Sequence, residues 1–346
     1  RLTGNQFAIV VPAPPDRKAI EAIVDDVFTS LGHSFSLPGQ QVFMTASIGI
    51  ALFPEDSDNI STLLRQADAA LERAKGQKSH SYRFYRSDLP VVSGDELQLE
   101  TWLRYALERD EFEVWYQPKY SLSQDRIVGA EALIRWQHPE TGYISPGKFI
   151  PLAEATGLIV PIGGWVLKTV CEQTAHWLHS GQPVVAIAVN LSSVQLSQPR
   201  LATTLQDILK ATQLPPDHLE LEVTETALMQ DVDAAIALLH ELKHLGVKIA
   251  IDDFGTGYAS LGYLRQLPID MLKIDASFVR DLPVNVTNQT ILKHVITMAH
   301  ELGLQVIAEG IETQAELQTL KSFGCDLIQG YWVGPPTNAT EFAQRL

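Results

Sequence analysis

Acidic and amide side chains recur through residues 97–346, each at the end of a short run of apolar or β-branched residues. A strand surrounded by protein is usually apolar throughout, so charged groups at its end need a reason. The set comprises Gln117, Glu131, Asn190, Glu222, Glu225, Asp252, Asp253, Asp275, Glu309, Glu312 and Gln329, and Lys273 stands beside Asp275 at one of these strand ends. If the strand ends met, one place would hold the carboxylates of Glu131, Glu222, Asp252, Asp253 and Glu309.

Carboxylates gathered in this way would repel one another by several kcal/mol at neutral pH, and divalent cations would remove the repulsion. Oxygen ligands from these acids and from the Asn190 amide suit Mg²⁺ or Mn²⁺ better than zinc. Asp252 and Asp253 could bridge two ions held about 3.5–4 Å apart, an arrangement that activates water and stabilises phosphoryl oxygens. The sequence therefore predicts a two-metal site, with Arg135 and Lys273 nearby to help bind an anionic substrate.

Each residue also has an ordinary structural interpretation. A single buried carboxylate is commonly a salt-bridged core residue rather than a metal ligand. Glu225, Asp275 and Glu312 could each hydrogen-bond a loop or a helix N-terminus, and Gln117 and Gln329 could be capping amides. The joint pattern, and not any one of these residues, favours the metal site.

The runs that carry these residues alternate with helical patterns. Eight β-rich runs occur, namely EVWYQP, IVGAEALIRW, VVAIAVNLS, LELEVTE, VKIAIDDFG, MLKID, QVIAEGIE and LIQGY, with apolar residues at helical spacing between them. Over about 250 residues this alternation predicts an α/β fold, a closed (β/α)8 TIM-like barrel of parallel strands spanning residues 97–346. Active sites of such barrels lie at the carboxyl ends of the strands, where the polar residues occur.

The glycines of DDFGTGYASL, directly after the paired aspartates, add a further feature. Gly255 and Gly257 permit backbone conformations that other residues avoid, so this loop could be tight or mobile and could transmit a signal. An ordinary left-handed turn is the alternative.

Residues 1–86 are organised differently. The strand patterns FAIVV and MTASIGIALF alternate with amphipathic segments at 16–31 and 60–75, which predicts part of an α/β domain. Residues 87–96, SDLPVVSGDE, have the composition of a linker. The opening RLTGNQFAIVV is typical of the inside of a β-hairpin, so we expect the chain to be a fragment of a longer protein.

Composition argues against several classes of protein. The 346-residue chain has a net charge of −15, whereas binding a nucleic-acid polymer requires a basic face. The sequence contains no apolar run of membrane-spanning length and no secretory-signal pattern, which predicts a cytoplasmic location. Cys171 and Cys325 are the two cysteines, and without ligand-spaced partners they indicate neither a disulfide framework nor a zinc site.

Seven motifs of residues 97–346 stand in the order typical of one family: EALIRW, NLSS, EVTE, DDFGTG, KIDASFV, AEGIET and QGY. The barrel therefore resembles the EAL-domain cyclic di-GMP phosphodiesterases over its whole length. The resemblance implies hydrolysis of cyclic di-GMP to linear pGpG, and a homodimer. The metal ligands that it implies are Glu131, Asn190, Glu222, Asp252, Asp253 and Glu309, the same set as the strand ends indicate.

The resemblance also implies roles for residues around the metals. Lys273 would orient or deprotonate the attacking water, Gln329 would support that network and Glu225 would fix the DDFGTG loop. The implied catalytic set is Glu131, Glu225, Lys273, Glu309 and Gln329. The implied substrate contacts are Arg135, on a phosphate, and Gln117, Leu133, Pro151 and Glu312, on guanine or the ribose-phosphate ring. Pro335 stands where the family has a basic residue, which would weaken an outer phosphate contact.

Residues 1–86 resemble the later part of the GGDEF domain of diguanylate cyclases, through RLTGNQFAIVV, SIGIALFPED and LLRQADAALERAKGQ. The signature is altered, because Thr3-Gly4-Asn5-Gln6-Phe7 replaces Gly-Gly-Asp-Glu-Phe. The amides of Asn5 and Gln6 cannot supply the negative charge that holds the cyclase metals, and Thr3 adds a side chain where GTP would approach. We therefore expect a regulatory or dimer-supporting domain without cyclase activity, with residual GTP binding left open.

Two alternatives to the phosphodiesterase remain. The first is a receptor that binds cyclic di-GMP without hydrolysing it; such receptors usually lack some metal carboxylates, whereas this chain has them all. The second is another metal-dependent hydrolase on the same fold, which fold alone would not exclude.

Overall fold

The computed structural model describes residues 7–12, 17–31, 35–37, 40–42, 46–75, 81–85, 94–183, 185–229, 231–255 and 264–346. The chain divides into two compact units, residues 1–99 and 100–346. The altered signature residues Thr3, Gly4, Asn5 and Gln6 lie outside the described residues. So does most of the predicted linker 87–96, whose last residues, from Gly94, already belong to a helix.

The first unit contains α-helices and short strands. Its helices are Arg17–Leu31 (α1) and Ile60–Lys75 (α2), and its strands are Phe35–Leu37 (β1), Gln40–Val42 (β2), Ser47–Ile50 (β3) and Ser81–Phe84 (β4). Strands β1 and β2 pair antiparallel, whereas β3 and β4 pair parallel, as expected of strands joined through a helix. A Cβ on Gly49 of β3 would collide with the backbone of Ala67 and Leu71, so this strand packs closely on α2.

The second unit is a closed barrel, which confirms the predicted fold. Its strands are Phe112–Ser121 (β5), Arg126–His138 (β6), Gly142–Ile144 (β7), Ala186–Leu191 (β8), Leu219–Thr224 (β9), Lys248–Phe254 (β10), Met271–Ile274 (β11), Gln305–Ala308 (β12) and Leu327–Gln329 (β13). The sheet order is β5-β13-β12-β11-β10-β9-β8-β6, and pairing of β6 with β5 closes the ring. The eight predicted runs are the eight strands of this ring.

The prediction that all barrel strands are parallel was wrong for β5. This strand is antiparallel to both of its neighbours, β13 and β6. Residues 122–125, which join β5 to β6, are too few for the crossover connection that parallel strands need, so a hairpin forms instead. Strand β7 extends the sheet outside the ring by pairing antiparallel with β6.

Helices lie before, after and between most of the barrel strands along the chain. They are Gly94–Ala106 (α3), Pro146–Thr156 (α4), Ile159–His179 (α5), Ser193–Leu196 (α6), Leu201–Thr212 (α7), Glu225–Leu228 (α8), Val232–His244 (α9), Ala276–Val279 (α10), Val286–Glu301 (α11), Gln314–Ser322 (α12) and Ala339–Ala343 (α13), with a 3-10 turn at Pro216–His218. Among the described helices, none alone is long and apolar enough to span a membrane, and α4 with α5 meets the criteria only as a pair bent by 120°.

The two faces of the barrel strands have different surroundings. Leu221, Ile251 and Leu272 belong to the main buried core, which helix residues share. Side chains alternate along a strand, so the residues on either side of these face the barrel interior. There, Ala250, Met271, Ile307 and Leu327 form a separate apolar cluster. Two positions later in the chain come the polar residues Asp252, Lys273, Glu309 and Gln329.

Candidate active site

Four carboxylates from different strands converge on the ammonium group of Lys273. Lys273 Nζ lies 2.7 Å from Glu222 Oε2, 2.9 Å from Asp252 Oδ1, 2.7 Å from Glu309 Oε1 and 3.8 Å from Glu131 Oε2. Lys273 is only 1% exposed. Four of the five acids that the strand ends indicated are therefore brought together at the carboxyl-terminal mouth of the barrel, around the Lys273 ammonium group.

A bulge in β10 lets the side chains of two consecutive aspartates point to the same site. Successive residues of a regular strand point to opposite faces, so Asp252 and Asp253 would ordinarily diverge. Between Ile251 and Phe254, however, the pairing of β10 with β11 contains one extra residue, and Asp253 has a left-handed φ of 55°. Ligand oxygens of Asp252, Asp253 and Glu309 consequently all lie within 4.8 Å of one another.

Amide groups fix the carboxylate of Glu131. Its Oε1 accepts a hydrogen bond of 2.6 Å from Asn190 Nδ2, and its Oε2 accepts one of 2.6 Å from Gln329 Nε2. Gln329 Nε2 also donates to Gln117 Oε1 at 3.1 Å. Gln329 thus contacts the acidic cluster directly, and Gln117 is linked to it through Gln329. Among the described residues, no group hydrogen-bonds the buried Gln329 Oε1, which leaves one acceptor available within the site.

The site is short of positive charge. Burial raises the pKa of Glu309 to about 7, and burial likewise raises the pKa values of Glu131, Asp252 and Asp253, with Lys273 offsetting only part of the effect. Glu222 differs. Burial alone would raise its pKa, but two lysine ammonium groups lower it to about 2. One lysine cannot neutralise the remaining carboxylates.

The donor set fits hard divalent cations. The converging atoms are carboxylate oxygens, and the Asn190 side-chain oxygen remains for a ligand because its nitrogen already donates to Glu131. Mg²⁺ and Mn²⁺ prefer such oxygen ligands. The oxygens of Asp252, Asp253 and Glu309 already form a compact group. A bound cation would offset the mutual repulsion of their negative charges.

Glu225 supports the loop that follows β10. Its side chain is buried, and its Oε2 accepts a hydrogen bond of 3.2 Å from the backbone N–H of Gly255. Gly255 has a left-handed φ of 96°, and a Cβ there would approach the ring of Phe278. Asp275 instead caps α10 by accepting from the Ser277 N–H at 2.9 Å. The rest of the glycine-rich loop, including Gly257, lies outside the described residues.

Four of the implied substrate contacts lie on β6, within α4 and before α12. Arg135 is half-buried on β6, with its guanidinium 5.6 Å from the centroid of the Trp115 ring. Leu133 is half-buried opposite Trp115. Pro151 is exposed within α4, and Glu312 is exposed just before α12, where its N–H donates to Glu316.

Sequence reasoning missed two buried residues beneath the site, Lys119 and Glu220. Lys119 Nζ lies 2.6 Å from Glu220 Oε1 and 2.6 Å from Glu222 Oε1. A signal for Glu220 was present in LELEV, because alternate residues of a strand share a face and Glu222 was already assigned to the interior.

Family comparisons assign both parts of the chain. The EAL-domain model matches residues 100–336, and the model of the diguanylate cyclase GGDEF domain matches residues 1–81. Among curated proteins, the bifunctional diguanylate cyclase/cyclic di-GMP phosphodiesterase MucR of Pseudomonas aeruginosa is 40% identical over 341 residues, covering 99% of this chain and 50% of MucR. The cyclic di-GMP phosphodiesterase PdeR of Escherichia coli is 35% identical over 339 residues, covering 98% of this chain and 51% of PdeR. The chain thus spans about half the length of these relatives.

Solved structures are similar to the barrel. The PaMucR phosphodiesterase in complex with c-di-GMP is 44% identical with a TM-score of 0.68, covering 71% of this chain and 99% of that one. The FimX EAL domain from Pseudomonas aeruginosa bound to c-di-GMP is 32% identical with a TM-score of 0.65, covering 70% of this chain and 97% of that one.

Proposed function

The chain belongs to the EAL-domain family, and from that membership and the geometry of its site we propose that the barrel hydrolyses cyclic di-GMP to linear pGpG with the help of two divalent cations. The observation that carries the proposal is the convergence of Glu131, Glu222, Asp252 and Glu309 on one cationic centre. The phosphodiesterases among its relatives agree with this reaction class.

The cations would be Mg²⁺ or Mn²⁺. The residues that would hold them are Glu131, Asn190, Glu222, Asp252, Asp253 and Glu309. When bound, such ions neutralise the charge of the phosphodiester and lower the pKa of a bound water. They also account for how a chain with a net charge of −15 can accept an anionic substrate.

Lys273 and Gln329 would handle the attacking water. Lys273 is held by carboxylates on several sides, and these raise its pKa well above the usual value although burial opposes them. In this proposal Lys273 orients or deprotonates the attacking water, as the family resemblance implies. Gln329 Oε1 is a buried acceptor without a partner among the described residues, so it can accept a hydrogen from the same water.

Arg135 would bind a phosphate of the substrate. Its guanidinium can donate two parallel hydrogen bonds to phosphate oxygens, and the neighbouring Trp115 ring limits its orientations. Gln117, Leu133, Pro151 and Glu312 would contact guanine or the ribose-phosphate ring, as the family resemblance implies.

For the first unit we propose a regulatory role without cyclase activity. Asn5 and Gln6 are neutral where the GGDEF signature has acids, so metal-bound GTP would lack its carboxylate ligands. Residual GTP binding by this unit and a homodimer of the chain are further parts of the proposal.

The test is turnover of cyclic di-GMP by the 346-residue chain, followed by chromatography of the products. We expect pGpG in the presence of Mg²⁺ or Mn²⁺ and none after a chelator removes the metal. Saturable binding of cyclic di-GMP without product over hours would reject hydrolysis and support the receptor instead.

A further inference from the structure

A second lysine lies in the barrel interior beneath the acidic cluster. Lys119 of β5 is 3% exposed, and its Nζ lies 2.6 Å from both Glu220 Oε1 and Glu222 Oε1. Glu220 and Glu222 are alternate residues of β9, so both point into the barrel, at two different depths. Lys119 therefore links a residue below the site to a residue within it.

The deeper of these two levels does not require a charge for stability. On the next four strands, the inward residues two positions before the site residues are Ala250, Met271, Ile307 and Leu327, which form an apolar cluster. Replacing a buried ion pair by apolar side chains of similar volume is often neutral or stabilising, because desolvation of the charges costs as much as their attraction returns. Core stability alone thus gives no reason for a lysine and a glutamate at this level.

The contact between Lys119 and Glu222 explains why a lysine lies at this level. Lys119 holds Glu222 Oε1, and Lys273 contacts only the other oxygen, Oε2, at 2.7 Å. We propose that Lys119 is a positioning residue, which fixes the rotation of the Glu222 carboxylate so that Oε2 alone is presented to the metal site. Glu220 anchors Lys119 from below. The inference rests on the proposed metal site and adds to it a residue that touches neither metal nor substrate.

Positioning and simple electrostatics predict opposite effects on metal binding. Lys119 is a cation close to a metal ligand, so removing it should strengthen the binding of a divalent cation if Coulomb repulsion were its main effect. If Lys119 orients Glu222, removing it lets the carboxylate rotate and weakens metal binding. Loss of a residue that orients a metal ligand typically lowers metal affinity by about 10–100-fold.

A cavity at the opposite end of the barrel supplies a matched control. Its volume is about 240 Å³, and Lys119, Glu220 and Lys248 are among the residues that line it. Lys248 is exposed and belongs to β10. Lys248→Met removes a positive charge from the same cavity without removing a contact to Glu222.

The experiment measures Mn²⁺ affinity of the full chain from the electron paramagnetic resonance signal of free Mn²⁺, without substrate. The variants are Lys119→Met, the double variant Lys119→Met/Glu220→Met and the control Lys248→Met, with folding checked by circular dichroism and thermal unfolding. We expect both Lys119 variants to bind Mn²⁺ at least about tenfold more weakly and the control to stay within about twofold of the unaltered chain.

The double variant separates positioning from a purely structural role, because it leaves no unpaired charge at Glu220 and remains informative if Lys119→Met alone does not fold. Mn²⁺ affinity equal to that of the unaltered chain in the double variant, or tighter binding in Lys119→Met, would overturn the inference. Failure of the unaltered chain to bind Mn²⁺ would instead reject the proposed metal site itself.

Discussion

The backbone at Asp253 allows two consecutive aspartates to face the same site. Adjacent acids in DDFGTG could have faced opposite sides of the strand, and the sequence motif alone does not say which. The left-handed φ of 55° at Asp253 and the bulge beside it bring both aspartates to the same side. Aspartate tolerates this conformation better than most residues, which accounts for its presence there.

At the residue scale, Glu131→Gln tests the acidic cluster. The substitution keeps the size of the side chain, but it removes a negative charge and places an amide where both Asn190 and Gln329 donate hydrogen bonds. We expect kcat/KM for cyclic di-GMP to fall by at least about 100-fold. Mutation of a residue that only hydrogen-bonds a metal ligand already lowers metal affinity or activity by about 10–100-fold.

The matched control for this prediction is Glu301→Gln, which removes one exposed carboxylate at the end of α11. The control should keep its activity, and both proteins should have the circular dichroism of the unaltered chain. Activity of Glu131→Gln within threefold of the control would remove Glu131 from the proposed metal site.

The two cysteines provide a prediction independent of the active site. Cys171 and Cys325 are buried, and burial raises the pKa of each thiol to about 12, so both remain protonated at lower pH. Because the thiolate is the reactive form, the folded chain should release no chromophore from a disulfide reagent such as DTNB at pH 8. In denaturant both thiols should react, and rapid reaction of the folded chain would show that one is accessible.

At the element scale, strand positions could be predicted from sequence better than strand directions. The eight β-rich runs were visible as apolar segments, and each became a barrel strand. The antiparallel direction of β5 depends on the short turn at 122–125, whose residues carry none of the apolar pattern on which the prediction rested. Strand β7 was missed because its three residues are too few to show a period.

Gly330 directly follows β13 and packs against the backbone of Ile311. A Cβ at this position would collide with the backbone of Ile311, which cannot move aside as a flexible side chain could. Gly330→Ala should therefore destabilise the chain by about 1–3 kcal/mol, seen as a thermal midpoint several degrees lower. It should also lower turnover, because Gln329 precedes this residue.

Gly164→Ala is the control for this substitution. Gly164 lies within α5, and a Cβ there would meet no atom within 4 Å. Alanine favours helix over glycine by about 1 kcal/mol, so this variant should be equally or more stable. Equal thermal midpoints for the two variants would show that Gly330 is not restricted by Ile311.

At the scale of the whole molecule, the sequence predicted the acids that converge at the barrel mouth but not the ion pair beneath them. The strand-end rule found Glu222 and Lys273 because each ends an apolar run. Lys119 occurs one residue after the proline of YQPKY, where a lysine is commonly exposed, and only the closed barrel places it beside Glu222. Contacts between strands so distant in the chain are set by the fold, and a local pattern cannot reveal them.

The first unit gives a prediction about the chain as a whole. Since Asn5 and Gln6 lack the charge of the GGDEF signature, incubation with GTP and Mg²⁺ should yield no cyclic di-GMP, even when a variant such as Glu131→Gln prevents its hydrolysis. Mass spectrometry of the nucleotides checks this outcome. Accumulation of cyclic di-GMP would contradict the assignment of this unit as inactive.

In the proposed reaction, the acids at the barrel mouth direct water onto a phosphorus atom of cyclic di-GMP. Its most direct test is incubation of the chain with cyclic di-GMP and Mn²⁺ in ¹⁸O-labelled water, followed by mass spectrometry. We expect pGpG carrying one ¹⁸O atom in its terminal phosphate. Recovery of intact cyclic di-GMP from a complex that contains metal, or of pGpG without the label, would contradict it.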